Sequence, residues 1–140
     1  MMRDAEKTIG NLIDNQKVSF ISSVDGDGFP NTRAMLPPCR REGIGTFYYH
    51  TDTPSMKVSQ YRNDPKACIY FCDTRFFRGV MLKGTMEIVE DAEIKKMLWD
   101  DKYKMYYPLG VADPEYCVLR FTASKGRYYS NFSVEEFEIG

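Results

Sequence analysis

The chain has 140 residues, of which 43% are hydrophobic and 14% aromatic, and its 19 basic and 20 acidic residues leave a formal net charge of −1. This length predicts a single domain over residues 1–140 with a core of its own, and the aromatic content favours β structure. Because the two signs of charge are interspersed, the composition argues against an electrostatic surface for nucleic acid or for an anionic membrane.

The N-terminal segment is charged and amphipathic. Ile9, Leu12 and Ile13 recur at helical spacing, which predicts a short helix over residues 3–15. No apolar signal region opens the sequence and no later run approaches the length of a membrane span, so we expect a cytoplasmic protein. The cysteine spacing matches no disulfide framework, and we expect reduced thiols at Cys39, Cys68, Cys72 and Cys117.

A β-hairpin follows the first helix. Residues 18–24 alternate as in a strand, Asp25-Gly26-Asp27-Gly28 is a strong turn signal, and residues 30–36 supply the return strand. Two prolines then end the hairpin, and residues 39–43 are expected to form a polar loop.

The next segment leads from a strand into a helix. Residues 45–50 read as the third strand, rich in aromatic side chains. Thr53 is a helix N-cap candidate and Pro54 suits the first helical position, so we expect a helix over residues 54–62.

The start of this helix has the composition of a phosphate cradle. Ser55 and Lys57 lie in its first turn, where free backbone N–H groups and the helix dipole favour an anion. Arg33, in the preceding hairpin, offers a guanidinium that fits phosphate oxygens bidentately. The alternative is an ordinary capped surface helix that carries one lysine.

The second half of the chain continues the β pattern with helices between some strands. Six or seven strands joined mostly by hairpins predict an antiparallel α+β barrel that is mostly β, and the absence of βαβ alternation and of a Gly-x-Gly-x-x-Gly motif disfavours a dinucleotide-binding fold. The predicted elements are a strand over 66–72, a strand over 75–89 bent at Gly79 or Gly84, helices over 90–100 and 101–107, strands over 116–122 and 127–132, and an acidic tail with Glu135, Glu136 and Glu138.

The order of these features resembles a known family. A strand carries Arg33, a second strand ends at His50-Thr51, Ser55-Met56-Lys57 opens a helix, and Asn63-Asp64-Pro65 closes it. This order resembles the FMN-binding split barrels of the pyridoxamine 5′-phosphate oxidase-like superfamily, in particular its general-stress-protein branch. The resemblance implies a six- to seven-stranded split barrel with short flanking helices, forming a homodimer with FMN at the subunit interface.

The resemblance also implies roles for individual residues. Arg33, Ser55 and Lys57 correspond to phosphate ligands, and the strand after Arg33 lies along the flavin. His50-Thr51 matches an aromatic-Thr pair near the ring, and Tyr129 falls where the last strand approaches the flavin of the opposite subunit, unless it belongs to an ordinary cross-strand aromatic pair. The implied cofactor-binding set is Arg33, Ala34, Met35, His50, Thr51, Ser55, Lys57 and Tyr129.

Three positions depart from the family pattern. Met56 replaces an arginine, His50 replaces an aromatic residue, and Gly79 stands where the vitamin-oxidising members carry a glutamine. The substrate-phosphate residues of those enzymes lie in a C-terminal extension beyond the length of this chain. Both observations argue against oxidation of pyridoxamine phosphate.

The function implied by the resemblance is that of an FMN-dependent oxidoreductase acting on a small molecule, with no side chain assigned as catalytic. The alternatives are a flavin-binding stress or sensor protein without turnover, and a barrel that binds haem, through His50, or a deazaflavin. Two further readings are disfavoured by spacing and by charge: zinc at Cys39, His50, Cys68 and Cys72, and a nucleic-acid stacking platform at Phe76, Phe77 and Arg78.

Overall fold

The computed structural model describes residues 4–140, which form three α-helices, eight β-strands and two short 3-10 segments. None of the helices in this range has the length and apolar character required to span a membrane. The elements are α1 (Ala5–Asp14), β1 (Ser19–Val24), β2 (Pro30–Met35), β3 (Arg40–Glu42), β4 (Thr46–Asp52), α2 (Met56–Asn63), β5 (Lys66–Asp73), β6 (Arg78–Val89), α3 (Ala92–Leu98), the 3-10 segments Asp101–Met105 and Gly110–Ala112, β7 (Tyr116–Ser130) and β8 (Ser133–Glu138).

The first helix forms where its apolar spacing predicted it. Asp4 caps α1 by accepting a hydrogen bond from the Lys7 N–H at 3.1 Å, and Ile9, Leu12 and Ile13 are buried against the barrel. The amphipathic prediction is confirmed for the described residues, and position 3 of the predicted range lies outside them.

All strands belong to one antiparallel sheet with the order β2-β1-β5-β6-β7-β4-β3, and β8 adds to the C-terminal half of β7. The two ends of this order, β2 and β4 with β3, face each other without strand pairing. The sheet is therefore an open, split barrel of the predicted mostly β, α+β class. Within residues 4–140 it has eight strands where six or seven were expected.

The extra strand and the long β7 correct the sequence prediction at the C-terminus. The two strands expected over 116–122 and 127–132 are one continuous strand, since β6 pairs along nearly all of β7 through an irregularity at Lys83 and Gly84. A side chain at Gly84 would collide with the Thr122 carbonyl oxygen, so glycine permits this close approach. The expected acidic tail forms β8, where Glu136 pairs with Arg127.

Other boundaries also differ from the prediction. The expected polar loop over 39–43 contains the short strand β3, which pairs with β4. The short helix expected over 101–107 is a 3-10 helix over Asp101–Met105, and β6 starts at Arg78 because residues 74–77 form a turn that ends at Phe77 with a φ of 50°.

The start of α2 is also wrong in the sequence prediction. The Thr53 N–H donates to the Glu115 carbonyl at 2.9 Å, and the Ser55 N–H donates to the Asp52 carbonyl at 3.1 Å. Thr53 and Pro54 thus belong to a turn, and Ser55 takes the N-cap position before Met56.

The core has two parts, and the second one bounds the site. The barrel interior is centred on Phe47, whose ring centroid lies 6.1 Å from that of Phe71 and 6.2 Å from that of Phe121. A smaller aromatic cluster packs the segment 92–113 against β4 and β7, and its buried members are Tyr48, Val89, Tyr107, Tyr116 and Val118.

Candidate functional site

A cavity of about 570 Å³ lies at the split of the barrel, between β2 and β4. One wall is the end of β2 and the residues that follow it, 34–37, and the facing wall is 49–52 of β4. Tyr103, Tyr106 and Tyr107 cover it from the 3-10 segment and the turn after it. This volume lies within the range of roughly 300–1,000 Å³ that small-molecule sites occupy.

Two unpaired strand edges face this cavity. Within residues 4–140, β2 pairs only with β1, and β4 beyond Tyr48 pairs only with β7. An unpaired strand edge presents alternating backbone N–H and C=O groups. Such edges can hydrogen-bond a planar heterocycle that carries donors and acceptors along its rim.

Lys57 reaches from α2 to Thr51 on the cavity wall, and the side of the cavity next to Lys57 is called its α2 end. Its Nζ donates to the Thr51 hydroxyl at 2.9 Å, and the side chain is half-buried. Burial lowers the pKa of Lys57, the nearby Arg33 lowers it further, and Asp52 opposes the change. The ammonium is thus held in a place that is unfavourable for it when no anion is bound.

Arg33 lies beside Lys57 and is held by uncharged groups. Its guanidinium donates to the Ser23 hydroxyl at 2.8 Å and to the Gln60 side-chain oxygen at 3.3 Å. The same Gln60 oxygen accepts the Ser23 hydroxyl, and the Gln60 amide donates to Asn31 at 3.2 Å. Among the described residues, no carboxylate forms an ion pair with Arg33 or Lys57. Both positive charges therefore remain available to an anion.

Ser55 is the N-cap residue of α2 and has a notable hydroxyl. This hydroxyl is buried, it has no hydrogen-bond partner among the described residues, and it does not cap its own helix. A buried hydroxyl without a partner carries a desolvation cost of about 1–3 kcal/mol that a ligand oxygen can remove. The neighbouring Met56, in place of the family's arginine, is exposed and adds no charge here.

His50 is the second group whose polar atoms lack partners. Neither ring nitrogen has a hydrogen-bond partner in the described part of the chain. The imidazole packs between Tyr103, at a centroid distance of 4.7 Å, and Tyr116, at 5.5 Å. Burial lowers the pKa of His50, with a further contribution from Lys102. The neutral ring thus has one donor and one acceptor available for a ligand.

The structure brings most of the expected residues together. Ala34, Met35, His50 and Thr51 line the cavity. Arg33, Ser55 and Lys57 lie beside it: Lys57 contacts Thr51, Arg33 is a neighbouring charge of Lys57, and the Ser55 N–H donates to the carbonyl of the lining residue Asp52. Tyr129 is the exception, because it is absent from the cavity wall of its own chain and packs edge-on against Phe77 at 5.9 Å. The cysteines expected on one face of β5 belong to no group of three or more metal-binding side chains within residues 4–140.

Several residues at the site carry no local sequence signal. Gln60 and Ser23 hold Arg33 through neutral hydrogen bonds, which match no motif. Gln60 comes three residues after Lys57, so both lie on one face of α2, and this spacing is the sequence feature that could have indicated a role for Gln60 at the site. The cavity-lining residues outside the implied cofactor-binding set are Leu36, Pro37, Cys39, Tyr49, Asp52, Tyr103, Tyr106 and Tyr107.

The fold and the site together define a split barrel in which two cations with neutral partners, Arg33 and Lys57, lie beside a cavity at the open edges of the sheet. Residues 5–130 match the family described as pyridoxamine 5′-phosphate oxidase. The chain belongs to this family.

Known proteins are similar to this chain over different spans. A protein from Clostridium acetobutylicum related to general stress protein 26 of B. subtilis is 34% identical, with a TM-score of 0.88, and the match covers 99% of this chain and 97% of that one. The pyridoxine/pyridoxamine 5′-phosphate oxidase of Rhizobium meliloti strain 1021 is 31% identical over 111 residues, which is 78% of this chain and 48% of that protein. The curated relatives are longer, and the matches span about a third to a half of their length.

Two more distant structures share the fold and differ in the ligand they are named for. A pyridoxamine 5′-phosphate oxidase-related, FMN binding protein from Nostoc punctiforme is 12% identical with a TM-score of 0.74, covering 99% of this chain and 98% of that one. A haem-binding protein from Mycobacterium smegmatis is 14% identical with a TM-score of 0.76, covering 99% and 59%. At these identities the likeness concerns the fold alone.

Proposed function

We infer that this protein binds FMN and acts as an oxidoreductase of the pyridoxamine phosphate oxidase-like type on a small molecule. One observation carries the proposal: Arg33 and Lys57, both half-buried, lie side by side with neutral partners at one end of a cavity that fits a planar ring. The FMN-binding relative with the same fold supports the choice of cofactor.

The α2 end suits a phosphate dianion. Two adjoining cations repel each other, and this repulsion contributes to the lowered pKa of Lys57. A bound dianion would reverse that effect, and the unpartnered Ser55 hydroxyl would donate to one of its oxygens. Riboflavin, which lacks the phosphate, would gain none of these contacts.

The rest of the cavity suits the isoalloxazine ring. Ala34 and Met35 lie on one wall and Thr51 on the facing wall, so the ring would insert between the two unpaired strand edges. The free nitrogens of His50 can hydrogen-bond a ring carbonyl or N–H. Bound FMN would supply hydride transfer, with the surrounding hydrogen bonds and positive charge setting its potential.

A homodimer is part of the proposal. The outer face of the sheet carries apolar side chains that the single chain leaves uncovered, and contiguous patches of this kind usually mark an interface. A second copy on this face would place Tyr129 of the partner subunit near the flavin. The exposed fractions are 45% for Val18, 37% for Phe20, 39% for Tyr70 and 57% for Val134.

Two other functions fit the same fold. A flavin-binding stress or sensor protein would use the same contacts without turnover. Haem or deazaflavin binding is the second, and for haem the favouring observation is His50, whose nitrogens are unpartnered at the cavity wall.

The visible spectrum of the purified protein separates these functions. We expect a flavin spectrum, FMN on release of the chromophore, and much weaker binding of riboflavin. A haem spectrum, or equal affinity for FMN and riboflavin, would contradict the proposal. Anaerobic addition of NADH or NADPH then separates an enzyme, whose flavin absorbance is lost, from a passive binder, whose absorbance stays.

Sedimentation tests the dimer: the wild type should sediment as a dimer and the Tyr70→Glu variant as a monomer.

A further inference from the structure

The turn between β7 and β8 places a phenyl ring where the backbone favours glycine. Ser130 pairs with Ser133, so Asn131 and Phe132 form a two-residue hairpin loop, and their φ angles are 52° and 60°. Positive φ at both positions is typical of a type I′ turn, for which Asn-Gly is the common sequence. Phe132 takes the glycine position and is 98% exposed. Because neither the turn nor the core requires this side chain, its ring is available to another molecule.

The neighbouring turn repeats the feature. Phe77 ends the turn between β5 and β6 with a φ of 50° and is 69% exposed, and Phe76 is 60% exposed. Since β6 and β7 pair at Gly79 and Tyr129, the two turns lie next to each other at one edge of the sheet. We call Phe76, Phe77 and Phe132 the phenyl tip. These three rings present roughly 450 Å² of surface, a patch of the size that is often functional.

The phenyl tip is continuous with the apolar outer face of the sheet. Tyr129 packs edge-on against Phe77 at a centroid distance of 5.9 Å. Gly79, which pairs with Tyr129, leaves room for the Tyr70 phenol group, since a side chain at this glycine would collide with it. Tyr70 in turn pairs with Phe20 of β1. An aromatic stripe thus crosses the sheet from β1 to the phenyl tip.

A second exposed apolar group lies at the mouth of the cavity. Leu36 and Tyr106 line the cavity with 81% and 69% of their surfaces exposed, and neither belongs to the residues proposed to contact the isoalloxazine ring. The strand registers place the C-terminal end of β2, next to Leu36, at the same edge of the sheet as the C-terminal end of β7. Because β1, β5 and β6 lie between these ends, Phe132 does not reach Leu36 of its own chain.

Two-fold symmetry brings the two groups together between copies. β5 is the middle strand of the order β2-β1-β5-β6-β7. A two-fold axis parallel to the strands, over the outer face of β5, exchanges the β2 side of one copy with the β7 side of the other and keeps both at the same edge of the sheet. Phe132 of one copy then faces the partner's Leu36, and the contact occurs twice in the dimer.

We propose that Phe132 of each copy packs on the partner's Leu36 and the partner's Tyr106 and closes the partner's cavity. The inference rests on the proposed homodimer and adds a residue that the second copy contributes to the site. A standard interface covers roughly 800 Å² on each partner, which the phenyl tip alone does not supply. With the outer face and the cavity mouth included, the exposed surface of these apolar residues reaches about 1,000 Å² per copy, which is enough for a stable dimer.

Two charge substitutions, measured by sedimentation equilibrium of the full chain, test the contact. Phe132→Asp and Leu36→Lys should each weaken the dimer by at least about tenfold, because a charge replaces an apolar side chain in the interface. The double variant should dimerise more tightly than either single variant, because each new carboxylate then meets the new ammonium of the other copy. Unchanged dimer affinity in either single variant, or a double variant that is not tighter than both, would overturn the proposal.

The matched control is Phe29→Asp. Phe29 is 67% exposed in the turn between β1 and β2, at the opposite edge of the sheet. The variant introduces the same charge in place of the same ring, and it should leave the dimer affinity unchanged. A loss equal to that of Phe132→Asp would reveal a general effect of the charge and would contradict the proposed contact.

Phe132→Gly separates the local turn from the contact between copies. Glycine relieves the left-handed backbone, so in the Tyr70→Glu background, where the chain is expected to be monomeric, it should raise the urea midpoint of unfolding. In the wild-type background it should weaken the dimer several-fold, because the ring is lost. A glycine variant that dimerises as tightly as the wild type would show that the ring has no place in the interface.

Sedimentation of the wild type and flavin absorbance keep this inference apart from the proposed function. A wild-type chain that stays monomeric contradicts the proposed homodimer and this inference together. A wild-type dimer whose affinity Phe132→Gly does not change contradicts this inference alone. Because sedimentation does not require bound flavin, a chain that takes up no FMN contradicts the proposed cofactor and leaves the test of the contact intact.

Discussion

The two ends of the cavity differ in charge and in packing. At the α2 end, Arg33 and Lys57 keep their charges beside neutral hydrogen-bond partners. At the other end, His50 and Tyr103 pack ring against ring at 4.7 Å, and neighbouring Trp99 and Tyr116 do so at 5.0 Å. One end is thus dominated by two positive charges and the other by packed aromatic rings.

The difference follows from what supports each end. Arg33 lies on the first hairpin and donates to Gln60 of α2. Gln60 in turn donates to Asn31, and Asn31 donates to Asp25 of the hairpin turn at 3.0 Å. The aromatic end depends on the inserted segment 92–113, which contains no strand and holds its place through the Tyr107 and Tyr116 cluster. The two supports meet at Thr51 and Asp52, which contact Lys57 and Tyr107. Substitutions away from these two residues should therefore disable one end and leave the other intact.

The largest effect is expected from removing both cations. Arg33→Ala with Lys57→Ala deletes two charge-assisted contacts of about 1.5–3 kcal/mol each, so FMN should bind roughly 10²–10⁴-fold more weakly. Riboflavin affinity should not change, because neither residue would contact the ring. Fluorescence titration of both ligands measures the difference.

The control for this variant is Arg75→Ala. Arg75 lies over the exposed Phe76 ring, 4.8 Å from its centroid, and takes no part in the cavity. It should leave the affinities for FMN and riboflavin unchanged. If the double variant retained wild-type FMN affinity, or lost FMN and riboflavin equally, the anion-binding role of the α2 end would be wrong.

The next effect is on stability at the aromatic end. Tyr116 is 1% exposed and packs against His50, Trp99 and Tyr107, so Tyr116→Ala should lower the free energy of unfolding by about 3–5 kcal/mol, the range found for buried Phe→Ala changes. Urea denaturation measures it. Met105→Ala, in the same segment but 79% exposed, should change stability by less than about 0.5 kcal/mol. Equal losses would show that the cluster does not support this segment.

The parts of the fold that the sequence predicts well are those with local causes. Asp25 forms the first hairpin turn by accepting the N–H groups of Asp27 and Phe29, both at 2.9 Å, and a turn signal in the sequence is enough to locate it. The start of α2 is misplaced because the Thr53 N–H bonds to Glu115, a residue far along the chain. The length of β7 is underestimated for the same kind of reason: Gly126 has little strand propensity, but it pairs with β6 and lies under the Phe137 ring.

The residues of the site also divide into those that a local sequence signal indicates and those that depend on long-range packing. Arg33 and Lys57 can be chosen from the sequence because a phosphate calls for cationic ligands and a helix start favours the phosphate anion. Gln60 acts through uncharged bonds that depend on the meeting of α2 with β1 and β2, which no short pattern encodes. Tyr103 and Tyr106 lie in an irregular segment whose position depends on the packing of its aromatic rings.

A smaller effect on FMN binding is expected from Gln60, which orients Arg33. Gln60→Ala removes the hydrogen bonds that Gln60 forms with Arg33, Ser23 and Asn31. Because the variant changes the orientation of Arg33 and keeps its charge, FMN binding should weaken by about 0.5–1.5 kcal/mol, or roughly two- to tenfold. Gln60→Glu has the same shape but sets a carboxylate against the guanidinium, and it should weaken FMN binding more than the alanine variant does. Neither change should alter riboflavin affinity. If the glutamate variant bound FMN as the wild type does, Gln60 would have no positioning role.

The smallest effect concerns pH and the aromatic end. Burial between Tyr103 and Tyr116, with Lys102 nearby, lowers the pKa of His50 below its ordinary value of 6.5. Below that pH the unfolded chain binds a proton that the folded chain excludes, so stability is full above 6.5 and declines as the pH falls toward the folded pKa. His50→Phe should reduce this decline, as measured by urea denaturation between about pH 7.5 and 5.5. Lys102→Ala should reduce it in part, because it removes the second cause, and an unchanged decline in His50→Phe would assign the pH dependence to other groups.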